Sequence, residues 1–216
     1  MNLSKSGIAA LLGLLLFAVA WSPLSAGGET PKADPPVLIT SCGQSPGPAL
    51  LKVIFMKAKL QHQPKAYEIN PLAEAADLVR ARDAGTPFGS VIIVMGASLK
   101  GMGAAGISIE DELARIEELI QEVRAQNITL IGAHIEGMKR RSQGASAGDN
   151  TDEQSIDAVA PNCDFLIIKR EGDEDGRFTT ISQNENIPMV VVEKNLDLVD
   201  RVKEIFSKQH PARKSK

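Results

Sequence analysis

From Val37 onward the chain alternates short apolar runs with longer stretches whose apolar residues recur every three or four positions. The short runs are Val37–Thr40, Ala66–Ile69, Ser90–Met95, Ile128–His134, Asp164–Lys169 and Met189–Glu193. Several are nearly continuous in Val, Ile and Leu, the pattern of strands covered on both faces. The longer stretches, Ala49–Leu60, Leu72–Ala84, Ile109–Gln126, Thr151–Val159, Phe178–Asn184 and Leu196–Lys208, read as helices. The third is the clearest. Ile109, Leu113, Ile116, Leu119, Ile120 and Val123 form one face, and Ser108 stands where a cap belongs, with Asp111 as a short substitute for the Glu of a capping box. Six such alternations predict an α/β fold: a three-layer sandwich around a mainly parallel sheet of five or six strands. The pattern leaves the strand order open between a flavodoxin-like and a Rossmann-like arrangement.

Ahead of this region lies a different kind of segment. Lys5 is followed by an apolar run from Gly7 to Ala20, and both Ala18-Val19-Ala20 and Leu24-Ser25-Ala26 end in small residues. The run is too short to span a bilayer comfortably, which favours a cleaved secretory signal over residues 1–26 rather than a retained anchor. The expected location is therefore periplasmic or secreted, with no integral membrane span after cleavage. Residues 27–36 (GGETPKADPP) read as a flexible tether, 37–208 as a single α/β domain, and 209–216 as a basic disordered tail.

Composition narrows the function classes. The 216 residues are 43% hydrophobic and 24% charged, which excludes wholesale disorder. A formal charge of -3, with one Trp and one Tyr, argues against nucleic acid as a partner. Two cysteines cannot staple a scaffold. Cys42 follows the first strand and Cys163 precedes the fifth, so in a parallel sheet they sit at opposite ends, beyond disulfide reach. Two free thiols are expected.

In sheets of this kind ligands bind beyond the carboxyl ends of the strands, so the residues after each strand carry the chemistry. Ser41-Cys42-Gly43-Gln44-Ser45 follows the first strand, and Gly96 to Gly106 (GASLKGMGAAG) follows the third. The second segment offers backbone amides at Gly96, Gly101 and Gly103, the Ser98 hydroxyl and the Lys100 cation ahead of a helix. These are the parts of an anion cradle. It is not a Walker loop, and its GxGxxG spacing lacks the context of a dinucleotide site. Cys42 is a candidate nucleophile with His134 as its base. His134 to Arg141 (HIEGMKRR) offers Arg140 as a mobile counter-charge, while the missing HxxxH spacing speaks against zinc. Glu171, Asp173, Asp175 and Gly176 copy half a calcium loop, but Ser182 stands where the bidentate Glu belongs. No metal site is expected, and no motif identifies a cofactor.

Val37–Ser45 (VLITSCGQS), Tyr67–Ala73 (YEINPLA), Gly96–Ile107 (GASLKGMGAAGI), His134–Arg141 and Ala158–Ile168 (AVAPNCDFLII) together resemble an uncharacterised family of exported bacterial α/β domains, a domain-of-unknown-function family. The resemblance implies compartment and fold and supplies no reaction. The leading expectation is a binder of a small polar or anionic molecule through Gly43, Gln44, Ser45, Gly96, Ser98, Lys100, Gly101, Gly103 and Arg140. The alternatives are a thiol-dependent hydrolase or transferase using Cys42 and His134, and an accessory subunit with an envelope protein as partner.

Overall fold

The computed structural model describes residues 30–142 and 150–207. The expected signal, residues 27–29 of the tether, the Gly/Ser/Ala-rich stretch at 143–149 and the basic tail lie outside the described residues. Six strands form one sheet: β1 (Val37–Cys42), β2 (Tyr67–Ile69), β3 (Ser90–Met95), β4 (Thr129–His134), β5 (Phe165–Lys169) and β6 (Met189–Val192). Every neighbouring pair is parallel, and the order is β2-β1-β3-β4-β5-β6. This is the flavodoxin-like order of the two that the pattern allowed, lengthened by one strand. β1 and β3 are buried along their whole length, which is why their sequences show no polar alternation.

Two helices cover one face of the sheet. Leu51, Ile54, Phe55 and Ala58 of α1 (Gly47–Ala58) and Leu198, Val202 and Ile205 of α7 (Leu198–Ile205) pack there on Val37, Ile39, Ile92 and Ile131. The other face carries α2 (Ala75–Asp83), α4 (Ile109–Ala125), α5 (Thr151–Val159) and α6 (Arg177–Glu185), which bury Leu78, Ile116, Ile156 and Phe178 against Leu38, Ile93 and Leu130. Both cysteines are free and buried. Among the described residues no helix is long and apolar enough to cross a membrane.

Two expectations need correction. The segment before β1 is docked from Thr30 onward: Ala33 is buried and its N–H donates to the Ile205 carbonyl, while Lys32 reaches the Glu204 carbonyl. The glycine-rich segment after β3, expected to lie ahead of a helix, itself holds a short one, α3 (Leu99–Ala105). Ser98 caps it by accepting from the Gly101 N–H at 3.1 Å, and Gly106 ends it in the left-handed region.

Candidate functional site

The strand order reverses at β1, whose neighbours are β2 and β3, so the connections leaving β1 and β3 diverge and frame a crevice beyond their carboxyl ends. Gly43, Gln44, Gly96, Ser98, Gly101 and Arg140 all come to this place. They do not leave it hollow. Gln44 pairs with Ala97 in an antiparallel bridge, and the Gly43 carbonyl accepts from the Ser98 N–H at 2.6 Å. The two turns are thereby zipped together. A Cβ on Gly101 would stand 2.2 Å from the Gln44 carbonyl oxygen, so only glycine lets α3 approach this closely.

Of the expected anion cradle, the Gly101 N–H is held by Ser98 Oγ, and the Gly96 amide and those of the turns beside it are held by the chain's own acceptors too. Gly43 N–H donates to Glu112 Oε1 at 2.7 Å, Gly96 N–H to Ser155 Oγ at 2.9 Å, and Ala97 N–H to Asp152 Oδ1 at 2.6 Å. Glu112 is fully buried and also accepts from Gln44 Nε2 at 2.9 Å. Arg115 neutralises it through Nε at 2.9 Å and ties the pair to the Ser41 carbonyl through a second nitrogen at 2.6 Å. The Pro71 carbonyl accepts from Thr40, Ser41 and Gln44. One internal carboxylate therefore organises the first turn. Its signal lay in the sequence: Glu112 falls on the buried α4 stripe with Ile116, Leu119 and Val123, where a charge needs a partner.

Arg140 is fixed rather than mobile. It donates to the Ala97 carbonyl at 2.9 Å and to Glu136 Oε1 at 3.2 Å. The other oxygen of that carboxylate, Glu136 Oε2, is buried and has no hydrogen-bond partner among the described residues, although the side chain is only 8% exposed. It lies at the start of α1, where no side chain caps the helix: a Cβ on Gly47 would stand 3.0 Å from Glu136 Oε2 and 3.2 Å from Ser45 Oγ. Ser45 is buried and accepts from the Gly47 N–H at 3.2 Å, leaving its hydroxyl hydrogen for another acceptor. Lys100 and Gly103 stand exposed on α3.

Cys42 and His134 are not brought together. β3 lies between their strands, which sets their backbones about 10 Å apart. Burial, reinforced by the Glu112 carboxylate, pushes the Cys42 thiol well above its ordinary range, so it stays protonated. His134 is fully buried, with Nδ1 3.2 Å from the Met95 carbonyl and Nε2 3.1 Å from the Gly137 carbonyl. Its ring packs on Phe178, over which the Arg141 guanidinium also lies. Burial holds the imidazole below its ordinary value against those two carbonyls, which favour the proton. A neutral ring donates through only one nitrogen, so one carbonyl faces a lone pair.

The acidic segment after β5 is also engaged within the chain. Glu171 pairs with Lys169, Asp173 accepts from the Phe178 and Thr179 amides at the start of α6, and Asp175 holds Arg141. Arg141 also binds Glu153 at 2.8 Å and the Gly172 carbonyl. An open cleft of about 510 Å³ adjoins this network, lined by Arg141, Ser142, Glu153, Arg177 and Thr180 among others.

A family model described as a domain of unknown function, DUF6305, matches residues 34–206. No curated protein matches the chain. Among solved structures it is similar to the acetyl xylan esterase AlAXEase, at 12% identity over 80% of this chain and 89% of that one, with a TM-score of 0.35. It is also similar to the YdjI aldolase from Escherichia coli K12, at 12% identity over 78% and 86%, with a TM-score of 0.18. Likenesses of that size say nothing about chemistry.

Proposed function

Because the chain belongs to the DUF6305 family, a domain of unknown function, its activity has to be read from its own residues, and we propose that it binds a small polar molecule at the β1/β3 reversal through a hydroxyl or ammonium group of that molecule. One observation carries the reading: Glu136 Oε2 is a buried carboxylate oxygen without a donor among the described residues, at the end of the sheet where ligands of such folds bind. A carboxylate oxygen in this position calls for a hydrogen-bond donor, and an anion would be repelled by it. The Gly43, Gly96 and Ala97 amides at the reversal are already committed to Glu112, Ser155 and Asp152. Ser45 supplies a second polar contact beside the same point, and Ser98 and Lys100 stand at the capped start of α3. The ligand class is thus narrowed from polar or anionic to polar and hydrogen-donating.

A thermal-shift panel tests this. Polyols, sugars and small amines are run beside phosphate, sulfate and carboxylates on the purified protein. At least one donor-bearing compound raises the melting temperature, by about 2–4 °C per kcal/mol of binding linkage for a chain of this size. A panel in which only anions shift the transition, or none does, overturns the proposal.

A further inference from the structure

Helix α1 presents a surface that packing does not explain. Its buried stripe is Leu51, Ile54, Phe55 and Ala58, yet its outer side is also apolar: Leu50 is 40% exposed, Val53 49% and Met56 60%. At about 100° per residue, Ala49, Val53 and Met56 form a crest opposite the buried stripe. Lys52 stands on one flank of that crest and Lys57 on the other, with Lys59 just past the end of the helix. The helix contains no acid. From Pro35 to Tyr67 the chain holds no Asp or Glu at all, although it carries 27 acids in 216 residues and is negative overall. The basic groups of the neighbouring elements are neutralised locally: Lys65 pairs with Glu68, Arg201 with Glu204, and Lys203 with Asp200. Among the described residues, Lys52, Lys57 and Lys59 form no ion pair.

An apolar crest flanked by a lysine on each side calls for an occupant that is apolar within and negative at its surface. We infer that α1 lies on the anionic face of a lipid bilayer, with Val53 and Met56 on the crest, and Leu50 at its edge, entering the boundary between headgroups and acyl chains and Lys52, Lys57 and Lys59 among the lipid phosphates. A second copy of the same helix fits poorly, because self-pairing would set lysine against lysine with no acid on either side. A protein partner of ordinary interface size needs a patch of about 800 Å² shaped to fit. A convex crest of three side chains asks for no shape complementarity, and a bilayer supplies none. This surface is separate from the crevice at the β1/β3 reversal, and its test does not depend on that reading.

The full chain is mixed with vesicles of equal parts phosphatidylglycerol and phosphatidylcholine, and with vesicles of phosphatidylcholine alone, and the bound fraction is measured by sedimentation. Binding is expected to the anionic vesicles, to weaken as salt is raised, and to be far lower on the neutral ones. Lys52→Gln with Lys57→Gln lowers the partition coefficient about tenfold or more, at about fivefold per lysine near the surface. Val53→Ser with Met56→Ser lowers it comparably. All four positions are exposed, and unchanged melting of both variants shows that the fold is intact. Three results overturn the inference: no vesicle binding, binding that ignores both variants, or loss in the serine variant of a dimer formed by the wild type. The last would mean that a second copy covers this face.

Discussion

At the scale of single residues, the account rests on carboxylates whose partners are specified. Glu112, itself fully buried, accepts from Gly43 and Gln44 and neutralises Arg115. Glu112→Ala leaves a guanidinium unpaired and two donors unmet, and it should cost about 3–5 kcal/mol in urea unfolding. Glu112→Gln keeps an acceptor and should cost less, about 1–3 kcal/mol. Equal losses in the two variants would mean that charge is irrelevant there. His134 gives a pH dependence whose sign is fixed by burial. Its folded value is depressed below the ordinary 6.5 or so, so the unfolded chain takes up a proton first as pH falls. Stability is therefore complete above about pH 7 and declines toward about pH 5, above the range in which the carboxylates titrate. Melting curves across that window should flatten in His134→Gln. A wild type that is equally stable at both ends contradicts the buried neutral imidazole.

At the scale of elements, α3 shows what a sequence reading can miss. Four glycines in the eleven residues Gly96–Gly106 disfavour a helix by propensity, each by about 1 kcal/mol. The helix forms because Ser98 caps it and because Gly101 is where it touches the Gln44 carbonyl. Gly103 on the same helix has open space around its missing Cβ. The two positions should therefore respond oppositely to alanine. Gly103→Ala should stabilise by about 0.5–1 kcal/mol, the ordinary helix gain. Gly101→Ala should destabilise by about 1–3 kcal/mol, because the added methyl meets backbone that cannot yield. Denaturant titrations of both variants read the difference, and two gains of equal sign would remove the zipped-turn description. Elements with one dominant signal were legible without such detail. The periodic stripe of α4 and the β-branched runs of β3 and β4 place those elements to within a residue or so at each end.

At the scale of the molecule, the convergence of the strand-following turns at the carboxyl edge was legible from the alternation of runs, because parallel sheets leave few other places for polar residues. Which turn meets which partner was not. The acceptors that take the Gly43, Gly96 and Ala97 amides lie 69, 59 and 55 residues away in sequence, on helices whose placement only the folded chain defines. The same distance hid Glu136: its Arg140 partner is local, but its second oxygen is buried against the start of α1, far away in sequence. What the whole fold builds at the reversal is thus a closed pair of turns with one carboxylate oxygen left over. Calorimetric titration of wild type and Glu136→Gln, with whichever donor-bearing compound shifts the melting transition most, tests that point directly. Arg140 orients the glutamine so that its amide oxygen keeps the existing bond and its NH2 replaces Oε2, setting donor against donor. The account predicts that affinity falls about tenfold or more while the unliganded melting temperature is little changed. Equal affinity in the two proteins would contradict it.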